Sequence, residues 1–120
     1  MEGIKMNTVT LGVASREAIT QSFAAAMRGQ QQGEFISFAT PELLLKTLTQ
    51  LRWDILKKMT GAGAMSIREL ARRVDRDVRR VHDDVLALLN VGVLERADNG
   101  DIVFPYDAVH VDFTLQAEAA

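Results

Sequence analysis

The stretch from Ser66 to Phe104 does most to limit what this chain can fold into, because stop signals and apolar stripes alternate there in a fixed order. Ser66-Ile67-Arg68-Glu69 has capping-box spacing, in which the Ser hydroxyl and the Glu carboxylate each satisfy a backbone donor. It opens a short helix carrying Ile67, Leu70, Ala71 and Val74. After Asp75-Arg76, Asp77 is the expected cap of a longer helix running to about Val91. Its Val78, Val81, Val85, Leu88 and Leu89 recur at helical spacing on one face. Gly92 is the expected C-terminal stop. Val93 to Ala97 and Ile102 to Phe104 then flank Asp98-Asn99-Gly100-Asp101, which predicts a β-hairpin turning on Asn-Gly in type I′ geometry and ended by Pro105.

Upstream, Thr40 and Pro41 open another helical region, Pro being tolerated at the first position because its missing N–H is unpaired there anyway. Leu43, Leu44 and Leu48 form its expected inner face, continued by Leu51, Ile55, Leu56 and Met59 with Trp53 nearby, until Gly61-Ala62-Gly63 stops it. Thr8 to Val13 alternates with Val9, Leu11 and Val13 on one side, as a strand does. Ser15 caps a predicted helix to about Arg28, with Glu17 in its first turn and Ile19, Phe23, Ala26 and Met27 as its stripe. Residues 29–33 form a breaker-rich linker, and Glu34 to Phe38 a short strand. Val109, Val111, Phe113 and Leu115 alternate with His110, Asp112 and Thr114, predicting a closing strand with one buried face. Trp53, Phe104 and Phe113 read as core aromatics. The order helix, short helix, tight turn, longer helix, hairpin is that of a winged helix-turn-helix. The expected fold is therefore α+β: residues 1–39 form a β-α-β extension and candidate dimerisation element, 40–115 the winged domain with its C-terminal strand, the other candidate for a dimer surface, and 116–120 a frayed tail.

Cysteine is absent, which removes disulfides and thiolate metal sites and suits a reducing cytoplasm. No apolar run approaches the roughly 18 residues a membrane span needs, and residues 1–5 lack a signal peptide's hydrophobic stretch. With two His and no ligand-spaced motif, neither a metal nor any other cofactor is expected. The carboxylates of Asp83 and Asp84 diverge by about 100° on a helix, so they are no acid–base pair. No nucleophile motif, phosphate-cradling Gly loop or HExxH occurs, and an enzyme is not expected.

The net charge of −2 hides an uneven distribution. Lys46 to Arg96 holds eleven Lys or Arg against seven Asp or Glu, a local balance of +4, and the remainder carries −6. Local potential governs association with a polyanion. With Val81, Val85 and Leu88 inward, Arg76, Arg79, Arg80, Asp83 and Ala87 are expected outward, with His82 and Asp84 on the flanks. A helix-turn-helix presents the opening residues of its second helix to the major groove, and guanidinium forks pair with guanine edges or bridge phosphates. Arg68, Arg72 and Arg73 on the preceding helix are candidates for gripping the flanking backbone. His82 is a candidate contact or a solvated flank residue, and His110 a structural one. The alternative for these arginines is surface pairing with Glu69, Asp75, Asp77, Asp83 and Asp84. Such pairs contribute only about 0–1 kcal/mol each, so stability accounts poorly for the cluster. Asp98 and Asp101 flank the hairpin tip, leaving Arg96 near its base. That wing is expected to pack, or to approach phosphates from one side, without entering the minor groove.

The runs SIRELARRVDRDVRRVHDDVLALLNVGVLER and DIVFPYDAVHVDFTL, led by FATPELLLKTLTQLRWDILKKMTGAG, resemble a prokaryotic family of MarR-like winged-helix transcriptional regulators that includes antitoxins of toxin–antitoxin modules. RDV-x-x-VH-x-DV is the most specific part. The resemblance implies that Arg79, Arg80 and His82 face DNA. Asp83 departs from it by standing where a basic residue is expected, and is a candidate acceptor from a cytosine amino group. Asp75 occupies a turn position where Gly is commoner. The expected function is thus a cytoplasmic, homodimeric, sequence-specific repressor of double-stranded DNA targets, with a cognate toxin as a further expected partner if the antitoxin likeness holds. The competing expectation is a protein-interaction module whose basic face docks an acidic partner, distinguished by whether binding weakens steeply with salt.

Overall fold

A computed structural model describes residues 7–13, 24, 27, 34–115 and 117. Its elements in chain order are β1 (Thr8–Val13), β2 (Glu34–Phe38), α1 (Pro41–Thr47), α2 (Gln50–Met59), α3 (Ile67–Val74), α4 (Val78–Asn90), β3 (Glu95–Arg96), β4 (Ile102–Val103) and β5 (Ala108–Asp112). The protein is an α+β fold. The expected cap at Ser15, the stripe residues Ile19, Phe23 and Ala26, the linker 29–33 and most of the tail lie outside the described residues. Ala24 and Met27 are helical, and Met27 is largely exposed, not part of a buried stripe.

The three long strands form one parallel sheet in the order β2-β1-β5. Val9 pairs with Glu34 on one side and Val109 on the other, and Leu11 with Ile36 and Val111. Residues on both sides of position 39 therefore build a single sheet. Strand alternation sends Val9 and Leu11 into the core, where both are fully buried. They join Phe38, Leu44, Ile55, Leu56, Met59, Leu70, Val81, Val85, Leu88, Ile102 and Phe104 in one apolar cluster.

Between residues 40 and 59 the expected continuous helical region is two helices. Thr49 breaks it: the residue is extended and its hydroxyl accepts from the Arg52 N–H, so α2 starts afresh. The break re-aims the stripe. Leu44 alone is buried on α1, and Leu43 and Leu51, both expected inside, are exposed.

Helices α3 and α4 end in the same way. In each, the residue after the last turn is left-handed, and the two N–H groups there return to carbonyls of the final turn. Gly92 (φ 81°) supplies this conformation after α4, with Gly92 N–H to Leu89 O at 3.1 Å and Val93 N–H to Leu88 O at 2.9 Å. Asp75 supplies it after α3 at φ 55°, with Asp75 N–H to Arg72 O at 3.2 Å and Arg76 N–H to Ala71 O at 3.0 Å.

The hairpin is antiparallel, Arg96 opposite Ile102 and Glu95 opposite Val103. Its turn differs from the expected type I′. Gly100 has φ 88° but Asn99 is not left-handed, and Ala97 N–H donates to Asp101 O at 2.7 Å across a three-residue tip. That pattern is a type I turn followed by a left-handed Gly. Asn99 Oδ1 accepts from the Asp101 N–H at 3.0 Å, a local bond that holds Asn in the ordinary right-handed region. On its other side β4 is bridged by Met65, which exchanges two 2.9 Å bonds with Ile102 and ties the hairpin to the start of α3.

Candidate functional site

Helix α4 is anchored along one face by Val81, Val85 and Leu88, all with no exposure. Asp77 caps it, accepting the Arg80 N–H at 3.2 Å. This anchoring leaves Arg79, Arg80, His82 and Asp83 exposed on the outer side. Val78, expected on the inner stripe, is exposed as well, because it precedes the first turn that packs. The first turn of α4 holds no acidic residue. Two arginines there sit at the end where unpaired N–H groups already concentrate positive charge, an unfavourable placement by about 0.3–1 kcal/mol each. Among the described residues no carboxylate lies within ion-pair distance of Arg79 or Arg80, nor of Arg68 or Arg96. Arg68 is exposed, and Arg96 folds over its own turn, Nη1 donating to Gly100 O at 3.3 Å.

On α3 the Ser66 hydroxyl accepts from the Glu69 N–H at 3.1 Å, half of the expected capping box. The Glu69 carboxylate turns instead to arginines. Arg72 binds it through two nitrogens, Nε at 2.8 Å, and Arg73 Nε reaches Oε2 at 3.2 Å. The hydrogen bonds from Arg72, then those from Arg73, hold the Glu69 carboxyl at about 2, well below the usual carboxylate range. Arg72 and Arg73 are exposed but already partnered.

Arg76 departs from the sequence expectation most. The helical spacing puts it on the outer face, whereas its side chain is partly buried. The left-handed turn at Asp75 pins its backbone, and its Nη2 donates to Asp84 Oδ2 at 2.8 Å. The other oxygen of Asp84 accepts Arg52 Nε at 3.1 Å, and Arg52 Nη1 donates to Thr47 O at 3.1 Å. One carboxylate thus holds two guanidiniums and joins the start of α2, the α3–α4 turn and the middle of α4. Arg76 Nη1 is buried and has no hydrogen-bond partner among the described residues. Helical spacing alone puts Asp84 on a flank, and no local motif marks Arg52. The signal was present: Asp84 stands at the i+3 position of the stripe Val81, Asp84, Val85, Leu88. A carboxylate at a core-facing position needs a cation.

The hairpin base leads into Tyr106, whose ring packs edge-on against Phe104 with centroids 5.1 Å apart. Burial, with Glu34 and Glu95 nearby, pushes the Tyr106 hydroxyl above its usual ionisation. Phe113, expected in the core, is exposed and lies one residue past the end of β5. His110 is exposed on β5. Among the described residues no group of three or more His, Asp or Glu is close enough to hold a metal ion, and no helix is long and apolar enough to cross a membrane.

No curated protein and no solved structure matches the chain. The family model HVO_A0114 matches residues 47–111, more than half of the chain, from the end of α1 through the paired helices and the hairpin into β5. The chain belongs to the HVO_A0114 family.

Proposed function

We propose that this protein is a winged helix-turn-helix regulator of transcription that binds double-stranded DNA in sequence-specific fashion as a cytoplasmic homodimer, with α4 as the reading helix. The observation that carries the reading is the pair Arg79 and Arg80. They are exposed, without a carboxylate partner among the described residues, and stand at the positive end of a helix whose opposite face is fixed in the core. Stability does not account for two cations there, whereas a duplex does. Helix N-termini and guanidinium groups both favour phosphate, and the opening residues of the second helix reach base edges.

The rest of the cluster divides by its partners. Arg79 and Arg80 read the groove, with exposed His82 and Asp83 one turn further along. Arg68 is free to bind the backbone, and Arg72 and Arg73 do so while sharing Glu69. Arg96 approaches phosphates at the hairpin base. Arg76 holds the reading helix and leaves the DNA-contacting set. By the MarR-like resemblance the regulator is a repressor, and in its antitoxin form it has a cognate toxin that co-purifies with it.

The test selects bound sequences from a random duplex library, then measures affinity against salt for the wild type and for Arg79→Ala/Arg80→Ala. The double variant is expected to fold normally, to lose base preference, and to show a salt slope shallower by about 0.9 for each phosphate contact removed. A folded double variant with wild-type affinity and slope overturns the assignment.

A further inference from the structure

We infer that the outer edge of β5 is a self-complementary strand that pairs antiparallel with β5 of a second copy, in the one register that centres on Val111. The inference supplies the contact surface of the dimer proposed above. Among the described residues β5 has a neighbour on one side only, β1. The other side presents a row of unpaired backbone groups, a ready template for another strand.

Three observations fix the partner and the register. The first is backbone direction. Ala108 N–H donates toward β1, to Asn7 O at 3.4 Å, and Asp112 O lies 2.8 Å from where a Cβ on Gly12 would sit. Even-numbered residues of β5 thus direct their backbone groups to β1, and Val109, Val111 and Phe113 direct theirs to the free edge. An antiparallel partner can bond only odd to odd.

The second is the apolar row. Val109 packs against the core, Val111 and Phe113 are exposed, and Leu115 is 94% exposed, so the row runs off its support. Pairing Val111 with Val111 sets each Phe113 against Val109 of the second copy and covers the uncovered part.

The third is charge. In that register His110 stands opposite Asp112 of the second copy, and Asp112 opposite its His110. Both are exposed on the other face of the strand. They fall at non-hydrogen-bonded positions, where side chains approach most closely. The imidazole supplies an N–H to the carboxylate. Sliding the pairing by two residues either way sets His110 against His110, or Asp112 against Asp112, so charge rejects the two neighbouring registers. The other edge left free among the described residues, β2, offers no such match: its one charged residue is Glu34, and it runs directly into the turn before α1.

The test is sedimentation equilibrium of the full chain without DNA, for wild type, His110→Asp and His110→Asp/Asp112→His. The wild type should be dimeric. The single variant converts two attractive cross-strand pairs into repulsive ones and should raise the dimer dissociation constant at least about tenfold, and the exchange of the two residues should restore it. Because the chain has no cysteine, Val111→Cys adds a second readout. A residue on the two-fold has its Cα about 5.5 Å from its mate, within disulfide reach, so mild oxidation should link the copies, whereas Val91→Cys, exposed after α4, should not link them. A monomeric wild type, a single variant that dimerises normally, an exchange that fails to recover, or a Val111→Cys that links no better than Val91→Cys overturns the pairing. A dimer of this kind that shows no DNA binding in the salt-dependent assay above upholds the edge pairing and refutes the regulator, whereas a monomer that binds DNA refutes the edge pairing and upholds α4 as the reading helix.

Discussion

Removing the Asp84 carboxylate should be among the most damaging single changes on α4 that leave its apolar face intact. The side chains of Asp84, Arg76 and Arg52 are 16%, 17% and 24% exposed, so both guanidiniums would lose their counter-ion in a largely dry place. Breaking a fully buried pair by deleting one partner costs about 3–5 kcal/mol. Allowing for partial exposure, Asp84→Ala is expected to cost about 2–3 kcal/mol. At about 2.1 cal/mol/K of unfolding entropy per residue, a chain of 120 residues loses about 4 °C of Tm per kcal/mol, so the drop should be about 8–12 °C. Arg76→Ala and Arg76→Ala/Asp84→Ala complete a cycle whose coupling should be about 1–3 kcal/mol, read by urea and thermal melts followed by circular dichroism. The same Arg76→Ala variant should leave the salt slope for DNA unchanged, since its guanidinium is bonded to Asp84. A drop below about 2 °C for Asp84→Ala, or a cycle that closes with no coupling, would refute the view that this carboxylate fixes the helix; a shallower DNA slope for Arg76→Ala would return Arg76 to the duplex.

Further outcomes follow from other residues. Glu69 should titrate near 2 in a carboxyl NMR titration and return toward 4.5 in Arg72→Ala/Arg73→Ala. Because its folded value is depressed, its contribution to stability is complete above about pH 4.5 and disappears as the pH falls toward 2; an unshifted Glu69 would mean the arginines do not hold it. Asp75→Gly should raise stability by about 0.5–1 kcal/mol, the relief of a left-handed L-residue less the added freedom of Gly in the unfolded chain, and a destabilised variant would show that the Asp side chain itself supports the turn. Tyr106 should ionise above 10.0 by ultraviolet absorbance, with Glu34→Gln moving it part of the way back. Its raised value adds stability that is present below pH 10 and fades as the pH passes the folded value, so an absorbance midpoint at or below 10.0 would contradict the desolvation of its hydroxyl.

The local signals written in the chain decided the elements. Caps at Thr40, Ser66 and Asp77, the stops at Gly92 and Asp75, and the stripe Val81, Val85, Leu88 rest on bonds and spacings that span a few residues, so they can be read without knowing the rest of the fold. The exposure of Arg79 and Arg80 follows from that stripe alone. What belonged to the tertiary structure was every contact between distant segments. Val9 and Leu11 announce a strand, yet nothing local says that β5, a hundred residues later, is its parallel neighbour. Arg76 looked like its neighbours Arg79 and Arg80, and only packing α2 beside α4 brought Arg52 and Asp84 to it and turned it inward. Periodicity can assign a face to a residue, but the charge that will meet it there is set by which helix packs against that face.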